Sequence, residues 1–271
     1  MLLAAFAKLL LYGGVTLVAG EFVVVPRRST PTSATLAERV RPVVRWGWMA
    51  LCAGVVVTLL AQVRELELEA SAESLGVLLG TGWGHGWEFL ALSVLLGTAA
   101  FGMRWPVPVR ALLAASVAAG MGGLGHAAAD ETWRVSSRVL DAVHVLCVGG
   151  WIGGLLLVSR LDGAETSREA WAGFSRIATF LAPLVVLSGA LASLLRLREA
   201  TFSAALASDY GRLLLLKLAF ALVVLALGAL HRKRILRGDL PRAGSVRFEL
   251  AFAGLVLLVT SVLTGTAPPG E

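Results

Sequence analysis

The sequence predicts an all-α integral membrane protein, a single bundle of eight transmembrane helices with both termini periplasmic. Three observations carry this expectation. Of 271 residues, 57% are hydrophobic and only 15% charged, with a mean hydropathy of +0.78, whereas a soluble domain carries about 25% charged residues. A membrane span needs about 20 mainly apolar residues. Eight stretches qualify, roughly 2–25, 43–63, 87–103, 106–129, 137–158, 174–196, 212–231 and 246–267, and they leave one transmembrane domain over 1–271 with little chain to spare. The third observation is the sorting of cations. Of 24 lysines and arginines, sixteen fall in the connections after spans one, three, five and seven, six fall on the other side, and Lys8 and Lys217 lie inside helices. Cytoplasmic loops carry the excess of Lys and Arg, which sets the orientation.

The first stretch could be misread as a secretory signal, because Val18-Ala19-Gly20 before Glu21 loosely resembles a cleavage site. No basic segment precedes the apolar run, and the run exceeds the usual length of a signal core, so it reads as span one. The connection after span two, RELELEASAES, holds Glu65, Glu67, Glu69 and Glu73; it is a solvated face or a surface that gathers cations. Trp46, Trp48, Trp105 and Trp171 fall near the cytoplasmic ends, and Trp83, Trp87 and Trp133 near the outer ends, as interfacial aromatic belts require. Only Trp151 sits deep in a span. Residues 197–211 read as a short interfacial helix. Cys52 and Cys147 both fall inside spans, which speaks against a disulfide framework.

The net charge of +6 and pI near 10.1 would suit nucleic acid, but the basic residues are distributed by loop, so the partner they fit is the lipid bilayer. There is no GxxxxGK[ST], HExxH or GxSxG. An ATP-driven pump, a membrane protease and enzymatic activity generally are not expected.

Residues 120–154 read GMGGLGHAAADETWRVSSRVLDAVHVLCVGGWIGG, two apolar stretches joined by a polar turn, each with one histidine. With the turn near Trp133 and Arg134, an antiparallel hairpin sets His126 and His144 at similar depth. An ionisable residue inside a span is by default a functional candidate, and imidazole suits Cu, Zn, Fe and Ni. His85 could join them from the connection before span three. The bland alternatives are cross-helix hydrogen bonds for the pair and an interfacial role for His85. His144, Cys147 and Trp151 form one stripe at i, i+3 and i+7. Cys147 is then a soft ligand or a small hydrophobe. Asp141 and Asp130 would orient the imidazoles or simply be wet. Gly149 with Gly153 and Gly150 with Gly154 are small-xxx-small pairs, and they are expected to draw spans four and five together, with Gly120, Gly122, Gly123 and Gly125 on the facing helix. Lys217 would snorkel or pair with Asp209, Asp141 or Glu88, while Glu21 and Glu249 are expected to form structural ion pairs.

These residues resemble the CopD family of bacterial copper resistance and copper transport membrane proteins. GHAAA at 125–129, HVLCVGGWIGGLL at 144–156, FSR at 174–176, YGRLLLLKL at 210–218 and RFELA at 247–251 are similar to its recurring pattern, as is TGWGHGW at 81–87. The similarity is firmest over about 120–268. The resemblance implies that His126 and His144 are candidate copper ligands on the periplasmic side. It implies a copper-related role in a bacterial inner membrane, alongside a CopC-type periplasmic copper-binding protein. Two features depart from it: span one has no histidine, and the chain has only four methionines, although Cu(I) pathways favour Cys and Met. Copper uptake or handover is the expected function. The alternatives are a haem-binding or electron-transfer protein and a non-transporting copper assembly factor for a respiratory enzyme. Packed helices lie about 8–10 Å apart, which leaves little room for a porphyrin between two facing imidazoles.

Overall fold

A computed structural model of the protein describes residues 2–25, 31–69, 71–124, 134–161, 164–198 and 200–269. Among them are ten helices and no strand: α1 Leu2–Val24, α2 Pro31–Glu65, α3 Ala72–Leu79, α4 Gly82–Gly102, α5 Val107–Gly122, α6 Arg134–Val158, α7 Ala164–Leu197, α8 Phe202–Ala207, α9 Asp209–Leu236 and α10 Ala243–Leu263. Six of these, α1, α2, α6, α7, α9 and α10, are long and apolar enough to cross a membrane. The chain is an all-α, multi-pass membrane protein.

The expected third and fourth spans correspond to α4 and α5. Helix α4 has 21 residues, but it opens on Gly-Trp-Gly-His-Gly-Trp-Glu, which dilutes its apolarity. The described part of α5 is 16 residues and ends at Gly122; the remainder of the expected span lies outside the described residues. Helices α2 and α7 run to 35 and 34 residues, about 50 Å each at 1.5 Å per residue against a hydrocarbon core of about 30 Å. Both begin some ten residues before the apolar windows at 43 and 174. Charged residues such as Glu38, Arg39 and Arg41 end an apolar window without ending helical hydrogen bonding, which explains the difference.

The linker after α2 turns at Glu67 (φ 52°) and then forms α3, whose cap Ser71 accepts a hydrogen bond from the Ser74 backbone N–H. The acidic stretch is thus partly helical. Helix α8 falls inside the expected 197–211 segment, and Ser208 then caps α9 by accepting from the Gly211 N–H at 3.0 Å.

Helix α1 is the axis of the bundle, packing most extensively on α2 and α6 and also touching α5, α7 and α10. Its seam with α6 corrects an expectation. Gly149 and Gly153 face Thr16, Ala19 and Gly20 of α1, Gly150 faces Val23 and Leu181, and Gly154 faces Phe174 and Val23. The glycines do mark a close approach, but α1 fills it and α5 does not. The physical reason is complementarity: Thr16 and Gly20 are themselves a small-xxx-small pair, and two such stripes let backbones meet. A Cβ on Gly153 would lie 1.9 Å from the Thr16 carbonyl oxygen. Of the facing glycines, Gly120 packs on Leu90 of α4, and Gly122 lies nearest Arg138 of α6.

The tryptophans also differ in part from expectation. Trp46 and Trp105 are exposed, but Trp48 and Trp171 are buried at 2% and 7%. Gly97 of α4 makes room for the Trp48 ring, so that indole packs the core and is no part of a lipid-facing belt. Cys52 and Cys147 are free thiols.

Candidate functional site

Helix α6 directs Asp141 and His144 into a polar layer at one end of the bundle, hereafter the Asp141 end, while Trp151 lies further along the helix toward the other end. His144 points at α7, where its Nδ1 lies 3.0 Å from Ser188 Oγ. The ring fits because residue 189 is glycine; a Cβ there would come within 3.0 Å of the imidazole Cε1. Ser188 donates its hydroxyl to the Leu184 carbonyl at 2.5 Å, so its proton is committed. Facing a hydroxyl that can only accept, Nδ1 carries the hydrogen of the neutral ring. That assigns the lone pair to Nε2, the tautomer a metal ligand needs when its other nitrogen is held by a fixed partner.

The residues around His144 set its electrostatics. Asp141, expected as an orienting carboxylate for an imidazole, is instead held by Arg196 at 2.5 Å, with side chains 22% and 26% exposed. The nearby guanidinium outcompetes a neutral ring for the carboxylate. Lys217 of α9 is half-buried and lies within electrostatic reach of Asp141, Arg196 and His144. Asp209, another expected partner for Lys217, is exposed and pairs with Arg212 at 3.5 Å. Tyr12 of α1 faces Thr264, whose carbonyl accepts from Lys8 Nζ at 2.6 Å. Five helices therefore contribute polar groups here. Around His144 the field is set by two cations and one carboxylate, so an incoming metal cation gains from the Nε2 lone pair and not from the local charge.

The other expected site residues are dispersed. His85 lines a cavity of about 510 Å³ between α4, α5 and α6 with Phe89, Gly120, Arg138 and Val143. The α6 residues lining that cavity lie on a different face from the one His144 turns to α7, so these two histidines are not brought together. Cys147 and Trp151 are buried at 8% and 7%. His126 and Asp130 lie outside the described residues. Among the described residues no cluster of three or more His, Cys, Asp or Glu side chains is placed to hold a metal ion.

A second polar layer, at the opposite Glu249 end, holds the charges the sequence marked as structural. Glu21 of α1 accepts from Arg110 of α5 at 2.5 Å. Arg41 of α2 donates to the Phe101 carbonyl at 3.2 Å and stacks 4.6 Å above the Phe101 ring. Glu249 takes an unforeseen partner. Its Oε2 lies 2.7 Å from His231 Nδ1, not beside an arginine of the basic loop. The signal for this pair was the fourth histidine of the chain at the end of one apolar span and a glutamate just inside the next, on helices joined by a short turn.

Residues 168–263 match the family model CopD, described as Copper resistance protein D. No curated protein and no solved structure matches the chain. The matched segment runs from α7 to α10 and contains Ser188, Gly189, Arg196, Lys217, His231 and Glu249, so it supplies the wall against which His144 rests. Over these C-terminal helices, about a third of its length, the chain is similar to the CopD family, described as Copper resistance protein D.

Proposed function

We propose that this protein takes up copper, or hands it over, across a bacterial inner membrane and is not an enzyme. The carrying observation is His144, an imidazole inside the bundle whose Nδ1 is fixed by Ser188 and whose Nε2 is left with the lone pair. In this reading α4 and α5 complete eight spans, both termini are periplasmic and the Asp141 end faces the periplasm. The sixteen-to-six division of lysines and arginines supports that orientation. Copper is cargo: His144 binds it with His126 as the second imidazole, Asp130 orients the pair, and Cys147 and His85 are subsidiary donors. A CopC-type periplasmic protein is the natural donor or acceptor.

The test is copper stoichiometry and affinity of wild type, His126→Ala, His144→Ala and the double variant in one detergent. Either single substitution should remove most binding at this site, because losing one imidazole breaks a chelate, and the double should add little. Undiminished binding by the double variant, or a Soret band from bound haem in place of copper, would overturn the assignment. Orientation is checked by single cysteines in a background lacking Cys52 and Cys147. Those replacing Glu67 and Ala200 should react with an impermeant thiol reagent from the periplasm, and one replacing Asp239 should not.

A further inference from the structure

The cavity of about 510 Å³ between α4, α5 and α6 has no part in holding His144, and its lining is chemically one-sided. Among the described residues that line it, only His85 of α4 and Arg138 of α6 have polar side chains, and no carboxylate is present. Small residues create the space. Ala115 and Ala119 of α5 and Gly82 of α4 line it, and a Cβ on Gly82 would meet nothing within 4 Å. Phe89, Val139 and Val143 also line it and are 50%, 57% and 37% exposed, so the cavity opens onto an apolar flank of the bundle.

Arg138 shows what kind of occupant this lining requires. Its Nε is buried without a hydrogen-bond partner, and among the described residues no carboxylate pairs with it. Asp141, the acidic residue one turn along α6, is taken by Arg196. A buried cationic donor without an acceptor is costly, so the cavity favours a ligand that brings negative charge. The planar fork of arginine, Nε–H with one terminal N–H, suits a phosphate. A neutral ligand would leave the guanidinium uncompensated, and a bare inorganic anion would leave the apolar walls uncovered. One molecule with a phosphate and acyl chains meets both needs, and basic pockets between membrane helices do hold anionic headgroups. The depth agrees. Arg138 lies one turn inside the start of α6 and His85 one turn inside the start of α4, about 6 Å from each helix end, where headgroups meet a span.

We propose that Arg138 and the cavity around it bind one anionic phospholipid, with its phosphate on the guanidinium fork, His85 at the rim, and its acyl chains along Phe89, Val139 and Val143. Such a site rests on α4 and α5 being membrane spans and is independent of what His144 binds.

The test is native mass spectrometry of the full-length, delipidated protein in detergent without copper, titrated with phosphatidylglycerol or with phosphatidylcholine. Wild type should bind one phosphatidylglycerol about fivefold more tightly than phosphatidylcholine, the size of one arginine–headgroup attraction. Arg138→Gln should abolish that preference. Ala119→Leu, which fills the cavity without touching its charges, should weaken binding of both lipids. No preference in wild type, or an undiminished one in a monodisperse Arg138→Gln, would overturn the site. Wild-type affinity for phosphatidylglycerol in Ala119→Leu would do the same, and that variant decides alone should Arg138→Gln not fold. Displacement of phosphatidylglycerol from wild type by millimolar inorganic phosphate would also overturn it and give the guanidinium to a soluble anion. The copper titrations and cysteine labelling, which use no added lipid, judge the His144 reading separately.

Discussion

The two polar layers differ in how they hold charge. At the Asp141 end the ion pair is about a quarter exposed, and Lys8, Lys217, Tyr12 and Ser188 bring further polar groups from several helices. At the Glu249 end the carboxylates are almost sealed, each with one close cationic or imidazole partner, and their side chains are only 8% and 1% exposed. A charge within the bilayer is tolerated when it is paired or when water reaches it. The first layer uses both devices and can exchange with solvent. The second relies on pairing alone, so it should be the less forgiving of substitution.

The largest effect should come from the seam that holds the two layers in register. Gly153→Leu forces a side chain into the Thr16 carbonyl, already 1.9 Å from the Cβ position, and neither backbone can yield without separating α1 from α6. Loss of a monodisperse species on size-exclusion chromatography is the expected outcome. Gly173→Ala, with nothing within 4 Å of the added Cβ, should be neutral or stabilise by up to about 1 kcal/mol.

Next come the buried pairs. Arg110→Ala strands Glu21 in the sealed layer and should cost about 3–5 kcal/mol. Arg196→Ala should cost about half that or less, because water reaches Asp141. Thermal unfolding of both variants in the same detergent measures the ratio, and a larger loss for Arg196→Ala would reverse the comparison.

What the sequence disclosed and concealed follows the same division. Apolar windows located the six helices that can cross a membrane, because length and hydropathy are local properties. The starts of α2 and α7 were set too late, since charge interrupts hydropathy without interrupting a helix. His144, Cys147 and Trp151 were recognisable as one stripe from their spacing. That the glycines beside them serve α1 was not, because small-xxx-small pairs announce a close approach without naming the partner, and Thr16 with Gly20 competed unseen. Glu21 and Glu249 read alike as ion-pair carboxylates; only the fold gives one to Arg110 and the other to His231. Asp141 likewise reads as a partner for histidine until Arg196, 55 residues away, is brought beside it.

The cationic excess around His144 gives a test with a definite sign. Lys217→Met removes one positive charge within electrostatic reach of the imidazole while keeping the length and apolar stem of the side chain. Copper affinity at the Asp141 end should rise about tenfold, equivalent to about 1.4 kcal/mol, the size of a charge–charge term over several ångströms in a partly hydrated environment. Weaker binding would mean that Lys217 assists the cargo and that the field has been assigned the wrong role.

The smallest effect is expected where the same kind of contact lies in water. Glu38 and Arg104 form an ion pair at 3.2 Å, but their side chains are 59% and 66% exposed. Exposed pairs gain little, because solvent screens the charges and two long side chains lose rotamer freedom to meet. Arg104 also carries a left-handed backbone, φ 57°, so the informative substitution is on its partner. Glu38→Ala should change stability by no more than about 0.5 kcal/mol. A loss as large as that of Arg196→Ala would mean that pairing geometry, and not access to water, separates the two layers.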